Sequence, residues 1–164
     1  MATATHWSTE TGPVRIGDYG AVGDCRSAAL ISNRGSIDWL CWPRFDSPSI
    51  FGALLDSERG GSWSIHPDQT FEAEHNYVRD SNVLETHFQC ASGQVTLTDL
   101  MPVASEEFKS GVLFPDHQMI REVRVTAGCV DLQVDFWPRP GAFANAIANY
   151  CNHRINIRNV LTCP

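Results

Sequence analysis

The sequence has no run of Lys and Arg and no apolar stretch near the roughly 20 residues a membrane-spanning helix needs. Its opening, "MATATHWSTETGPVRIGDYG", lacks both a basic n-region and an apolar h-region, so no secretory leader is read and a soluble, cytoplasmic protein is expected. Only 19% of residues are charged, and 19 acids against 12 bases give a net charge of −7. Nucleic acid and anionic membrane both need clustered cations, so neither is expected as a partner.

Motifs that would announce chemistry are also missing. The 6 cysteines (Cys25, Cys41, Cys90, Cys129, Cys151, Cys163) are scattered and lack C-x-x-C spacing. Without an export signal they are predicted to be reduced and packed as small apolar residues. The 6 His are dispersed, with no Cys, Glu or second His at a ligand spacing, so neither metal nor cofactor is expected. Gly17, Gly20 and Gly23 read G-x-x-G-x-x-G rather than the dinucleotide pattern, and bends leading into a first hairpin explain them better. No G-x-S-x-G elbow marks a nucleophile.

What is present is one domain's length, 164 residues with 43% hydrophobic. A chain of this size buries roughly 70% of the surface its unfolded form exposes. Residues before Pro13 are polar and aperiodic and are expected to be a flexible N-terminus. After them come short alternating runs separated by turn residues, which predict an all-β, antiparallel sandwich with at most one or two short helices.

"AALIS" and "SIDWLCW" flank Asn33-Arg34-Gly35 as a hairpin, with Ile37, Trp39 and Cys41 on one face and Asp38, Leu40 and Trp42 on the other. "NVLETHFQC" and "QVTLTDLM" meet across Ala91-Ser92-Gly93 as another, and "GSWSI" and "FEAEHNYV" supply further strands. "MIREVRVT" and "CVDLQVDF" predict a third hairpin across Ala127-Gly128, with Val130, Leu132, Val134 and Phe136 inward and Asp131, Gln133 and Asp135 outward. Only "SPSIFGALLD" looks helical.

The densest chemistry lies in "WLCWPRFDSPSIFGALL". Pro43 removes a ladder donor and ends its strand, so "RFDS" is expected to project as a loop held between Pro43 and Pro48. Sugars are bound by an aromatic face against their C–H side and by Arg and Asp hydrogen-bonding their hydroxyls. Trp39, Trp42, Arg44, Phe45 and Asp46 supply both kinds of group. The residues fit equally a plain structural role, with Arg44 paired to Asp46 and the aromatics packed beneath. Glycoside hydrolysis needs two carboxyls about 5 Å or about 6.5 to 9.5 Å apart. Asp38, Asp46, Asp56 and Glu58 are near in sequence, but exposed strand and turn acids are the default for them, and no self-sufficient active site is read.

The run "IGDYGAVGDCRSAALISNRGSIDWLCWPRFDSPSIFGALLD", then "GGSWSI" and, more loosely, "LETHFQCASGQVTLTDLMP" to "FWPRP", closely resembles the start of bacterial glycoside hydrolase family 15 proteins of the glucoamylase and trehalase type. The resemblance implies an N-terminal super-β-sandwich over residues 14–140. It also implies inverting hydrolysis of α-glucosyl linkages by two glutamates of a following helical barrel. Phe136 to Pro164 leave too little chain for a dozen helices of about 11 residues, so no residue here inherits the acid or base role.

What carries over is the loop, with Trp42, Arg44, Phe45 and Asp46 expected at the barrel's mouth or the domain interface. Expected partners are an α-glucoside or oligosaccharide, the catalytic barrel of full-length relatives, and a second copy through exposed apolar surface. After Asp135 no Asp or Glu occurs, and after Pro140 the sequence departs from the resemblance, over residues 141–164. That tail is expected to be a short helix and a strand, or a foreign end, in a truncated or frame-shifted gene product or a lineage that kept only the β-domain.

Overall fold

The computed structural model describes residues 14–112 and 117–141 and the backbone of residues 155–161. After a 3-10 turn at Ile16–Asp18, the chain forms β1 (Tyr19–Gly23), β2 (Ala28–Ser32), β3 (Ser36–Cys41), β4 (Ser49–Phe51), β5 (Ser62–Pro67), β6 (Phe71–Tyr77), β7 (Leu84–Cys90) and β8 (Gly93–Leu100). One short helix, α1 (Glu106–Gly111), precedes β9 (Ile120–Gly128), β10 (Val130–Trp137) and β11 (Ile155–Leu161). One antiparallel sheet runs β1-β2-β3-β5-β10-β11, with β4 also on β3, and the other runs β6-β7-β8-β9. The expected all-β sandwich is what forms.

Its core lies between the sheets. Val22, Ala29, Ile31, Ile37, Leu40 and Phe51 of the larger sheet pack with Leu84 of β7 and with Met101. Ile65, Val130 and Leu132 pack with Ala73, Phe88, Val95 and Leu97 of the smaller sheet. These are the inward halves of alternating strands, and burying them is the main favourable term for such a fold.

Two predicted hairpins form as expected, β2 to β3 and β7 to β8. The third does not. β9 pairs with β8, whereas β10 pairs with β5 and β11, so the chain changes sheets at Gly128. Gly128 has φ +71°, and a Cβ there would lie 2.1 Å from the Ser92 carbonyl oxygen, so the crossing needs a residue without a side chain. Alternation places residues on faces without naming the neighbouring strand, which is why the run resembled a hairpin.

The predicted helix is absent as well. Ser49–Phe51 is strand β4, with Leu40 opposite Phe51 and Cys41 opposite Ser49. In the strand Phe51 gains burial and an edge-to-face contact with Phe136 at 5.9 Å, and tertiary packing of this kind overrides a local helical pattern. The helix that does form, α1, is opened by Ser105, whose hydroxyl accepts from the Phe108 N–H at 3.1 Å.

β3 departs from simple alternation. Leu30 faces Trp39 but Ile31 faces Ile37, so Asp38 is an extra residue in the ladder, and the bulge puts both Ile37 and Leu40 into the core. Asp135 shares a face with Gln133, whose amide donates to it at 2.7 Å, yet it is buried rather than exposed. Cys25 and Cys129 are exposed, and Cys41 and Cys90 half-buried, so the thiols are not uniformly packed as core; Cys151 and Cys163 lie outside the described residues. Within the tail, the backbone of residues 155–161 forms strand β11, and residues 142–154 and 162–164, with the expected short helix, lie outside the described residues.

Gly35 closes the β2–β3 turn at φ +74°, donating to Ser32 O at 2.9 Å, and a Cβ there would stand 2.3 Å from Ile65 O and 2.9 Å from the Phe88 ring. Gly35→Ala is therefore expected to lower unfolding stability by about 2 to 4 kcal/mol, from left-handed strain plus overpacking. Urea unfolding followed by circular dichroism checks this, and an unchanged midpoint would contradict the packing described.

Candidate functional site

The site begins with the turn "GDCRS" between β1 and β2. Asp24 Oδ1 accepts from the backbone N–H groups of Arg26 (2.9 Å) and Ser27 (2.8 Å), a side-chain mimic of a backbone turn that leaves Cys25 at φ +68°. Burial alone would raise the Asp24 carboxyl. The Ser27 and Arg26 N–H bonds and the contact with His117 outweigh it and hold the group below the usual carboxylate range. Asp24 Oδ2 lies 3.3 Å from His117 Nδ1.

Antiparallel pairing of β2 with β3 brings this turn to the end of β3, where the predicted loop begins. The buried Ser27 hydroxyl donates to the Cys41 carbonyl, and the Phe45 N–H donates to Arg26 O at 2.9 Å. The Trp42–Pro43 bond is cis. Within the loop, Ser47 N–H donates to Arg44 O at 3.1 Å, and Ser47 Oγ accepts from Arg44 N–H at 3.3 Å. The loop is thus closed on itself and tied to its neighbour.

Cys25, Arg26, Pro43, Arg44, Phe45, Asp46 and His117 line one open cavity of about 530 Å³. Arg44 Nε does pair with Asp46 Oδ1, at 3.2 Å, but Phe45 is 63% exposed and does not pack beneath. Trp42 packs partly against the core and meets the His117 ring edge-on, centroids 5.9 Å apart. Trp39, opposite Leu30 in the ladder, is half-buried and is not among the residues lining the cavity. The structure therefore gathers Arg44, Phe45 and Asp46, backs them with Trp42, and leaves Trp39 apart.

The residues that the sequence reading missed are Asp24, Arg26 and His117. Asp24 and Ser27 had a legible signal, the spacing of an Asx turn. His117 had none, because only the fold brings it beside Trp42.

Asp46, Asp56 and Asp38 each have partners of their own. Asp46 is tied to Arg44, and Asp56 accepts from Glu58 N–H and Arg59 N–H in its own turn. Asp38 departs from the exposed default. It accepts from Tyr19 Oη at 2.7 Å and Ser36 Oγ at 2.5 Å, and burial pushes its carboxyl up despite both bonds. The Tyr19 hydroxyl is pushed up in turn by its own burial and by Asp38. Among the described residues no group of three or more His, Cys, Asp or Glu gathers as a metal site. What the arrangement offers is an exposed aromatic face beside a paired guanidinium and carboxylate.

Fold and cavity together define the class, an all-β sandwich presenting a proline-bounded aromatic and ionic loop at one end of its larger sheet. Within that class, the chain belongs to the family described as trehalase-like, N-terminal, which matches residues 3–160. It is similar to a trehalase of Mycolicibacterium smegmatis, 36% identical over 75% of this chain and 20% of that protein. A trehalase of Thermoplasma volcanium is 35% identical over 79% of this chain and 20% of its own length, and trehalase 1 of Sulfolobus acidocaldarius is 43% identical over 53% and 15%. The chain thus spans about a fifth of the curated relatives it matches. No solved structure matches it.

Asp24 and Asp38 are shifted in opposite directions, and the linkage signs follow. A carboxyl held low in the fold stabilises above its unfolded value and loses that contribution as pH falls; one pushed high stabilises below its unfolded value and loses it as pH rises. Across about pH 2 to pH 7, Asp24→Asn is expected to lose stability relative to the wild type as pH rises through the part of the range below about 4, and Asp38→Asn to gain it as pH rises above about 4. Thermal unfolding across that range checks both, and parallel profiles for the two variants would refute the environments assigned.

Proposed function

We propose that the chain is the non-catalytic N-terminal domain of a trehalase-type α-glucoside hydrolase of glycoside hydrolase family 15, the group that includes the glucoamylases. In this reading it braces the helical catalytic domain and helps to shape that domain's glucosyl subsite with Trp42, Arg44, Phe45 and Asp46. The observation that carries the reading is the cavity, where an exposed Phe45 ring stands beside the Arg44–Asp46 pair, with Asp46 as the one lining carboxylate among the described residues. Two carboxyls across a cleft are the minimum for glycoside hydrolysis, so the acid and base belong elsewhere.

A second observation supports an adjoining domain at this end. Arg139 N–H donates to Ile50 O and Gly141 N–H to Ser49 O, at 2.8 and 2.9 Å, so the chain leaving β10 passes directly beside the loop. The relatives are named trehalases, and four-fifths of their length is available for the catalytic part. The free thiols of Cys25, Cys41 and Cys90 suit a cytoplasmic setting, and no described helix is long and apolar enough to cross a membrane.

Exposed Phe45, Leu55, Val103 and Phe108 favour a second reading, a stand-alone module that holds oligosaccharide or a protein partner through apolar surface. Assays of the purified chain with trehalose and maltose separate the possibilities. The first reading expects no glucose release and no measurable calorimetric binding. Binding that disappears in Phe45→Ala would favour the module. Glucose release abolished by neutralising one of this chain's own carboxylates would overturn both.

A further inference from the structure

Besides the short β4, whose outer side receives the Arg139 and Gly141 N–H groups, three edge strands have described side chains, and they are not equivalent. The edge of β1 is sealed: Ala21 N–H donates to Tyr77 Oη at 2.7 Å, Tyr77 Oη donates back to Ala21 O at 2.9 Å, and Asn82 Nδ2 donates to Gly23 O at 2.7 Å. The edge of β6 carries Glu72 and Glu74 two residues apart, so an antiparallel copy centred between them would set carboxylates against each other. β9 differs from both. It pairs with β8 on one side, and no described strand pairs with its other side. Such an edge presents unpaired N–H and C=O groups along its length.

We infer that a second copy of this chain docks antiparallel on β9, with the two-fold axis at Val123, joining the two smaller sheets into one eight-stranded sheet. The sequence "REVRV" is self-complementary about that axis. Glu122 of each copy stands opposite Arg124 of the other, so the symmetry creates two opposite-charge cross-strand pairs at once. Both side chains are available, Arg124 73% and Glu122 58% exposed, and within one chain they already meet at 3.3 Å.

The facing positions do not obstruct the joint. Arg121 is turned into its own domain, with its side chain fully buried on Asp99, and Val123 and Val125 pack against the second core cluster. Thr126 bounds the run. The ladder steps from Gln94–Ala127 to Val95–Val125, and the irregularity there ends regular pairing. The joint is consequently short, and the dimer belongs to the weak class that forms by strand addition.

Sedimentation velocity of the purified chain from micromolar to millimolar concentration is expected to show a monomer–dimer equilibrium. Glu122→Arg places Arg opposite Arg, and Arg124→Glu places Glu opposite Glu. Each is expected to weaken dimerisation by about tenfold or more, since two cross-strand pairs change sign together. The double variant Glu122→Arg/Arg124→Glu restores opposite charges and is expected to dimerise within about threefold of the wild type. Melting curves at low concentration verify that each variant remains folded. A chain monomeric throughout the range would overturn the inference. So would a dimer indifferent to both single reversals, or a double variant no better than the singles.

Discussion

The fold depends on one buried ion pair. Arg121 of β9 and Asp99 of β8 sit opposite each other in the smaller sheet, and both side chains are wholly excluded from solvent. The guanidinium grips the carboxylate with two nitrogens, at 2.7 and 3.2 Å, and donates its remaining bonds across the domain, to Trp63 O at 2.5 Å and Gly35 O at 2.8 Å. Its Cζ also stands 5.1 Å from the Trp63 ring centroid. Desolvating two charges costs several kcal/mol, so such a pair persists only where geometry is good and the remaining donors are satisfied. Here the satisfying acceptors belong to the other sheet, which makes the pair a fastening between the layers.

From that fastening a line of contacts runs to the site. Trp63 meets Phe136 edge-on at 5.3 Å, and Phe136 meets Phe51 at 5.9 Å in β4, the strand that follows the Arg44–Asp46 loop. Gly35 O receives Ile65 N–H as well as Arg121, which fixes the start of β3, and the bulge at Asp38 then determines which residues face inward before the strand ends. The loop is therefore positioned from both sides, through β3 behind it and β4 ahead. Asp24 adds the third support by holding the neighbouring turn on which Phe45 N–H rests. Preorganisation of this kind matters for a binding surface, since a loop already ordered loses less entropy on meeting a partner.

Much of this was legible in the sequence, and the parts that were not share a cause. Alternation in "AALIS", "QVTLTDLM" and "CVDLQVDF" reveals strands, because a period of two is a local property. Pro43 and Pro48 likewise announce the loop locally. Three features required knowledge of which strand lies beside which: the sheet change at Gly128, the extra residue at Asp38, and the conversion of Ser49–Phe51 into a strand. Alternation sets Asp99 in phase with Val95 and Leu97, and Arg121 in phase with Val123 and Val125, but the sequence reading singled out neither, and only the pairing of β8 with β9 places them opposite each other. Arg26 and His117 join the cavity only after β1 to β3 have folded and the approach to β9 lies beside Trp42.

A double-mutant cycle tests the role of this pair most directly. Arg121→Met and Asp99→Leu, singly and together, are compared by urea unfolding. Each single variant leaves a buried charge without its counter-ion and is expected to lose about 3 to 5 kcal/mol, while the double variant, with neither charge, loses far less than the sum. Single losses below about 1 kcal/mol, or losses that simply add, would show that the sheets are not fastened through this pair.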